Sequence, residues 1–96
     1  MAAHTKRLKI NVTKQCIRKG ERENGAMCPI ALACKAVDGV ESASVDTDEI
    51  TIEGSCIPIA GGHIDGKIIF STPKKAQRFI TAFDAGRKPK PMTLLL

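Results

Sequence analysis

The first predicted helix lies within the sequence Ala26-Met27-Cys28-Pro29-Ile30-Ala31-Leu32-Ala33-Cys34-Lys35-Ala36. Pro29 suits the first helical position, because the N–H that proline lacks would have no partner there in any helix. Apolar residues then recur at helical spacing on one face: Ile30, Ala33, Cys34 and Val37. Gly39 is placed to end the helix in a left-handed conformation. These signals predict a short buried helix over residues 29–37.

The second predicted helix lies near the end of the chain. Its apolar stripe has the spacing i, i+3, i+4 and i+7, and consists of Ala76, Phe79, Ile80 and Phe83. Thr72 is expected to cap the helix and Pro73 to occupy its first position. Gly86 is expected to end it.

Short runs that alternate apolar and polar residues predict strands at 8–12, 40–45 and 50–52. Another strand is predicted at 67–70, after the turn signal Asp65-Gly66. Residues 56–59 are strand-like, but Pro58 restricts them to an edge or a bulge. Residues 92–96 add a last strand or pack across the sheet, and residues 13–26 are expected to be a loop. The order β-α-β-β-β-α-β predicts an α+β domain, with two helices on one face of a mainly antiparallel sheet. The predicted core contains Ile10, Leu32, Val37, Ile52, Ile69, Phe79, Ile80 and Phe83.

The chain of 96 residues is expected to form a single domain, 1–96, with residues 1–5 disordered. No apolar run approaches the roughly 18 to 20 residues that span a bilayer, so no membrane partner is expected. The N-terminal residues lack the apolar centre of a secretory signal, which predicts a cytoplasmic protein. In that compartment the four cysteines are expected to be free thiols.

The net charge of +5 is unevenly distributed along the sequence. Residues 1–36 contain eight Lys or Arg and two acids, and residues 37–66 contain seven acids and no Lys or Arg. Residues 67–96 contain seven Lys or Arg and one acid. This segregation can place basic and acidic patches on different faces, where they would select oppositely charged partners. The alternative is that two solvated faces differ in charge without a binding role.

Two stretches together resemble a known group of proteins. Cys28-Pro29-Ile30-Ala31-Leu32-Ala33 is similar to a CPIALA element. Phe79-Ile80-Thr81-Ala82-Phe83-Asp84-Ala85-Gly86, with Lys90-Pro91-Met92-Thr93-Leu94-Leu95, is similar to an ending of the form FI..FDAG...P..F.L. In these elements the chain resembles a group of small uncharacterised accessory proteins encoded in bacteriophages and prophages. The resemblance implies a short accessory gene aimed at host or defence machinery in a bacterial cell, and it carries over no functional residue.

No catalytic or cofactor motif stands out, so we expect neither an enzyme nor a bound cofactor. The cysteines show none of the close pairs of zinc fingers and ribbons, even with His4 and His63 added, so no metal site is predicted. Cys28 lies at a helix N-terminus, where the dipole favours the thiolate. A nucleophile also needs a base, and nothing in the sequence places His63 near Cys28. Cys28 is therefore expected to be structural.

His63-Ile64-Asp65 would place two polar side chains on the same face of a strand. A metal ion or an acid–base pair could use that geometry. The adjacent pairs Gly61-Gly62 and Asp65-Gly66 favour a simple turn instead.

A binding signal lies in the first two turns of the second predicted helix, which contain Lys74, Lys75 and Arg78. Positive charge there opposes the helix dipole and costs up to roughly 1 kcal/mol per charge. An anion bound to the free N–H groups would offset that cost. The competing interpretation is a solvated face from which the lysine side chains extend into water.

The sequence favours a non-catalytic binding protein that inhibits a host or defence component through a basic surface. The predicted contact residues are Lys6, Arg7, Lys9, Arg18 and Lys19, or Lys74, Lys75 and Arg78. The expected partner is an acidic protein surface. The alternatives are a sequence-independent nucleic-acid binder and a protein that sequesters a small anionic nucleotide, and a thiol enzyme built on Cys28 is the least favoured. Three Phe without Trp or Tyr leave no stacking platform for single strands. A homo-oligomer remains open.

Overall fold

A computed structural model describes residues 8–22, 24–59 and 61–96. In chain order its elements are β1 (Lys9–Val12), α1 (Lys14–Lys19), α2 (Pro29–Lys35), β2 (Val40–Val45), β3 (Glu49–Ile59), β4 (Gly62–Ser71), α3 (Lys74–Asp84) and β5 (Met92–Leu95). The predicted α+β class with antiparallel pairing is confirmed. None of the described helices is long and apolar enough to cross a membrane. The prediction for residues 1–5 lies outside the described residues.

The strands form two antiparallel sheets, where the sequence suggested one. β1 pairs with β5 near the two ends of the chain, with Ile10 opposite Leu94. β2, β3 and β4 form the second sheet in that order. Leu8 and Leu96 extend the first ladder by exchanging backbone hydrogen bonds of 3.1 and 2.9 Å.

α2 forms where the proline-led pattern places it. Pro29 occupies the start of the helix, and the Sγ of Cys28 accepts a hydrogen bond from the N–H of Ala31 at 3.4 Å. The apolar face is buried through Ile30, Ala33 and Cys34, as the spacing predicts. The last regular residue of the helix is Lys35, two residues before the predicted end at residue 37.

α1 lies in the segment 13–26, which the sequence predicts to be a loop, so the predicted order of elements lacks this helix. The Oγ1 of Thr13 accepts a hydrogen bond from the N–H of Cys16 at 3.2 Å and so caps the helix. α1 has six residues and buries none of them. Because Ile17 is its one apolar residue besides Cys16, no stripe at helical spacing marks it in the sequence.

β3 and β4 are longer than predicted and form one hairpin. The runs 50–52 and 56–59 are parts of the same strand, β3, and a register shift separates them. The sequence predicts a turn at Asp65-Gly66, but these residues lie within β4. Pro58 is accommodated because β2 pairs only with residues 50–54 of β3, so β3 is an edge strand where the proline lies.

The core joins the two sheets and the helices. Its fully buried large side chains include Ile10, Ile30, Ile50, Ile52, Ile57 and Leu94. Phe79 and Phe83 are buried as predicted, whereas Leu32, Val37 and Ile80 are half-buried. The prediction for Ile69 is wrong, because this side chain is 54% exposed. The register of β4 instead places Ile68 opposite the buried Ile52, and Ile68 is buried.

The start of α3 differs from the predicted cap. The hydroxyl of Thr72 donates to the carbonyl oxygen of Asp46 rather than accepting a bond from the helix. Pro73 occupies the N-cap position, and no side chain caps the helix there. At the other end, Gly86 adopts the left-handed conformation with φ +86°, as the sequence predicts.

Candidate binding groove

A groove lies between α1 and the segment that joins α3 to β5. Its volume is about 620 Å³. α1 and the residues after it form one side, residues 86–91 form the other, and Phe83 of α3 contributes to the lining. We call it the basic groove, and its lining residues are Lys14, Ile17, Arg18, Gly20, Arg22, Phe83, Gly86, Arg87, Lys88, Pro89, Lys90 and Pro91.

α1 supplies one side of the basic groove through a single face. Ile17 and Arg18 follow Lys14 by three and four residues, so both lie next to Lys14 on the helix surface. Ile17 is half-buried against the core, while Lys14 and Arg18 are exposed. Arg22 follows the helix, and a Cβ added at Gly86 would lie 3.5 Å from its Nη2 atom. The Arg22 side chain therefore extends to the opposite side of the groove.

The opposite side is set by the way α3 ends. The N–H of Gly86 donates to the carbonyl of Phe83 at 3.0 Å, and the N–H of Arg87 donates to the carbonyl of Ala82 at 2.9 Å. These two bonds and the left-handed Gly86 form a Schellman motif, which turns the chain sharply at the helix end. Residues 87–91 then run without helix or strand to β5.

The lining combines concentrated positive charge with apolar surface. Six of the lining residues are cations: Lys14, Arg18, Arg22, Arg87, Lys88 and Lys90. None of the described residues that line the groove is Asp or Glu. Its apolar contribution comes from Ile17, Phe83, Pro89 and Pro91. Such a site attracts an anionic ligand over several ångströms and can then bury an apolar group of the same ligand.

The predicted N-terminal contact residues separate into two places. Arg18 lines the basic groove. Lys9 and Lys19 line a second cleft of about 490 Å³, which also contains Leu32 and Val37. Lys6 and Arg7 lie outside the described residues.

The predicted cluster on α3 is exposed and lies outside the basic groove. Lys75 is held against β5, because its Nζ donates to the carbonyl oxygen of Thr93 at 3.0 Å. Arg78 lines a shallow depression together with Arg87. Arg87 lines both this depression and the basic groove, so the two sites are neighbours.

The sequence did not identify five cations of the basic groove: Lys14, Arg22, Arg87, Lys88 and Lys90. The run from Arg87 to Pro91 was visible as polar and extended, and the high density of bases was visible on both sides of the acidic middle segment. The missing information was that residues 14–22 and 86–91 meet. That approach depends on α1, which the sequence did not indicate.

Cys28 is unsuited to the nucleophilic role considered for it. It lines a pocket of about 330 Å³ with Phe79 and Phe83, but the residue itself is buried. Burial raises the pKa of the Cys28 thiol, outweighing the backbone hydrogen bonds from Ala31 and Ile30 that lower it. The helix N-terminus was expected to favour the thiolate, and desolvation reverses that expectation.

Comparisons with protein-family models, with curated proteins and with solved structures find no match for this chain. A function is therefore inferred from the chemistry of the basic groove.

Proposed function

We propose that this protein is a non-catalytic binding protein that holds an acidic segment of a partner protein in the basic groove. The observation that carries the proposal is the arrangement of six cations around apolar residues in one groove. Carboxylates of the partner would pair with the cations at the rim. An apolar side chain of the partner would contact Ile17, Pro89 and Pro91, which are only partly buried or exposed.

The apolar part of the lining favours a protein segment over a nucleic acid. Phosphate contacts require cations and donors, and they gain nothing from proline or isoleucine surface. Single-stranded nucleic acids gain affinity by stacking on exposed aromatic rings. Phe79 and Phe83 are buried, Phe70 is half-buried, and the chain contains no Trp or Tyr.

The biological role that we propose is inhibition of a host or defence component in the cytoplasm of a bacterial cell. The resemblance to phage and prophage accessory proteins supports this setting. A small protein that occupies an acidic surface blocks whatever else binds there, and it needs no chemistry to do so. The buried Cys28 with its raised pKa supports the non-catalytic part of the proposal.

Three labelled probes of equal negative charge test the proposal. The first is a short peptide rich in Asp and Glu with isolated Leu residues, and the second is the same peptide with every Leu replaced by Ser. The third is a single-stranded oligonucleotide. Binding is measured by fluorescence anisotropy at low and at physiological salt, since exposed charge contacts weaken with ionic strength.

We expect the Leu-containing peptide to bind at least fivefold more tightly than its Ser counterpart, and the oligonucleotide to bind no better than the Ser peptide. Tighter binding of the oligonucleotide, with a steep salt dependence, would instead establish nucleic-acid binding. A rise in melting temperature with free nucleotides and no peptide binding would favour nucleotide sequestration.

A further inference from the structure

Three side chains with different metal-binding atoms meet on the hairpin formed by β3 and β4. They are Cys56, His63 and Asp65, and all three are exposed. The Sγ of Cys56, a ring nitrogen of His63 and a carboxylate oxygen of Asp65 lie within 4.8 Å of one another. Thiolate, imidazole and carboxylate are the ligand types that zinc takes in proteins.

A β-bulge brings Cys56 close to His63 and Asp65. Gly54 pairs with Gly66 and Ile57 pairs with Ile64. Two residues of β3, Ser55 and Cys56, therefore stand opposite a single residue of β4.

The bulge also turns the side chain of Cys56 outward. Ile50, Ile52 and Gly54 are buried, so regular alternation would bury residue 56 as well. After the bulge, Ile57 is the buried residue and Cys56 is exposed. Cys56 has a φ of 54°, a left-handed conformation that is uncommon for residues other than glycine.

The carboxylate of Asp65 is already fixed in place. Its Oδ1 accepts a hydrogen bond of 2.7 Å from the N–H of Cys56. This bond leaves Oδ2 to bind another group, and it orients the carboxylate beside the thiol. His63 lies two residues before Asp65 on β4, so both side chains lie on the same face of the strand.

We propose that Cys56, His63 and Asp65 bind one zinc ion. In a tetrahedral zinc site the ligand atoms are about 3.3 to 3.8 Å apart, from metal–ligand distances of about 2.0 to 2.3 Å. The exposed side chains of Cys56 and His63 can rotate to shorten the present separations, which are at most 4.8 Å. Calcium and magnesium prefer oxygen ligands alone, so the sulfur and nitrogen atoms favour zinc over these two ions. The Cys56 thiol releases its proton to solvent when the ion binds, and water occupies the fourth position.

The sequence places His63 and Asp65 on one face of a strand, where a metal ion could use them, but it does not indicate that Cys56 joins them. The sequence predicts no metal site because its cysteines lack the close pairs of zinc fingers and ribbons. Cys56 joins His63 and Asp65 only because of the bulge. A bound ion would link β3 to β4 where the bulge interrupts their ladder, and so stabilise that end of the hairpin.

Cobalt serves as the spectroscopic probe for the site. The full-length protein is reduced, freed of metal with a chelator and titrated with Co²⁺ alone. The band that reports a thiolate–cobalt bond is recorded, and Zn²⁺ is then added to displace the cobalt. The variants are Cys56→Ser, His63→Gln and Asp65→Asn, the last of which retains the Oδ1 acceptor for the N–H of Cys56. Cys16→Ser is the matched control, because Cys16 is a free thiol outside the cluster.

We expect one equivalent of Co²⁺ per chain, a thiolate band that Cys56→Ser abolishes and Cys16→Ser retains, and at least tenfold weaker binding in His63→Gln and Asp65→Asn. Circular dichroism confirms that each variant is folded. The proposal is overturned if no band forms or if the band survives in Cys56→Ser. It is also overturned if His63→Gln binds as the wild type does, or if half an equivalent binds between the thiols of two chains.

Discussion

The hydroxyl of Thr72 donates a hydrogen bond to the backbone carbonyl oxygen of Asp46 over 2.8 Å. The N–H of Thr72 donates to the carbonyl of Asp48 at 3.0 Å, and Thr72 is only 6% exposed. Both bonds attach Thr72, which lies two residues before α3, to the turn between β2 and β3. The residue that the sequence marks as a helix cap is therefore a tertiary link.

Thr72→Val removes the hydroxyl bond to the carbonyl of Asp46 and keeps the backbone bond to Asp48. We expect the free energy of unfolding to fall by about 0.5 to 1.5 kcal/mol, the net contribution of a typical hydrogen bond, because the Asp46 carbonyl can bind water once its partner is gone. Thr72→Ser retains the hydroxyl and serves as the control. Urea denaturation measures both. If Thr72 were a helix cap, Thr72→Asp would be tolerated or stabilising. The structure predicts a loss, because the carboxylate would lie against a carbonyl oxygen.

The register of β4 is tested by the neighbouring residues Ile68 and Ile69. Ile68→Ala is expected to cost about 2 to 5 kcal/mol, because Ile68 is buried in the core. Ile69→Ala is expected to change stability by less than about 0.5 kcal/mol, since Ile69 is 54% exposed. Thermal and urea unfolding of the two variants provide the comparison. The reverse order of stabilities would show that β4 is shifted by one residue.

Cys34 makes the stability of the protein depend on pH. Burial raises the pKa of the Cys34 thiol from 9.0 to about 12. Its stabilising contribution is therefore complete below pH 9. As the pH rises from 9 toward 12, the unfolded chain loses the thiol proton while the folded chain keeps it, so stability falls by up to about 1.4 kcal/mol per pH unit.

Urea denaturation at several pH values between 8 and 11 checks this dependence, with Cys34→Ala as the reference. Below pH 9 the variant is less stable because it loses buried volume, and above pH 9 its stability is expected to fall less steeply than that of the wild type. Other groups that titrate in this range, such as lysines, contribute equally to both proteins. Parallel curves would show that Cys34 does not titrate differently in the folded and unfolded states.

α2 and α3 could be predicted because each combines a proline near its start with an apolar face. Ile30, Ala33 and Cys34 mark one buried face, and Phe79 and Phe83 mark the other. α1 could not be predicted in this way, because it buries no residue and depends on the Thr13 cap and on contact with the rest of the fold. Local pattern identifies elements that bury a face, and it misses elements stabilised by their surroundings.

The candidate groove was accessible from the sequence only as an excess of positive charge. Arg18 was identified from that excess, but the sequence contains no signal that brings it near Arg87. Likewise, His63 and Asp65 were placed on one strand face, while Cys56 reaches them through a bulge that period-two alternation does not reveal. Both sites depend on contacts between segments that are distant along the chain or out of register.

We expect binding to depend on where the cations lie and not only on how many there are. Lys88→Glu with Lys90→Glu changes the basic groove within a segment that has no helix or strand, so the fold is expected to survive. Lys9→Glu with Lys74→Glu changes the net charge by the same amount. Both of these residues are exposed, were predicted contacts and lie outside the groove.

The deciding measurement is the affinity of the Leu-containing acidic peptide for these two variants and the wild type, by fluorescence anisotropy at physiological salt. We predict that the groove variant binds about tenfold or more weakly, because two attractive contacts become repulsive. The matched variant is predicted to remain within about threefold of the wild type, since Lys9 and Lys74 do not line the groove and salt screens their effect on a ligand bound there. An equal loss of affinity in both variants, or no loss of affinity in the groove variant, would show that the peptide does not bind in the basic groove.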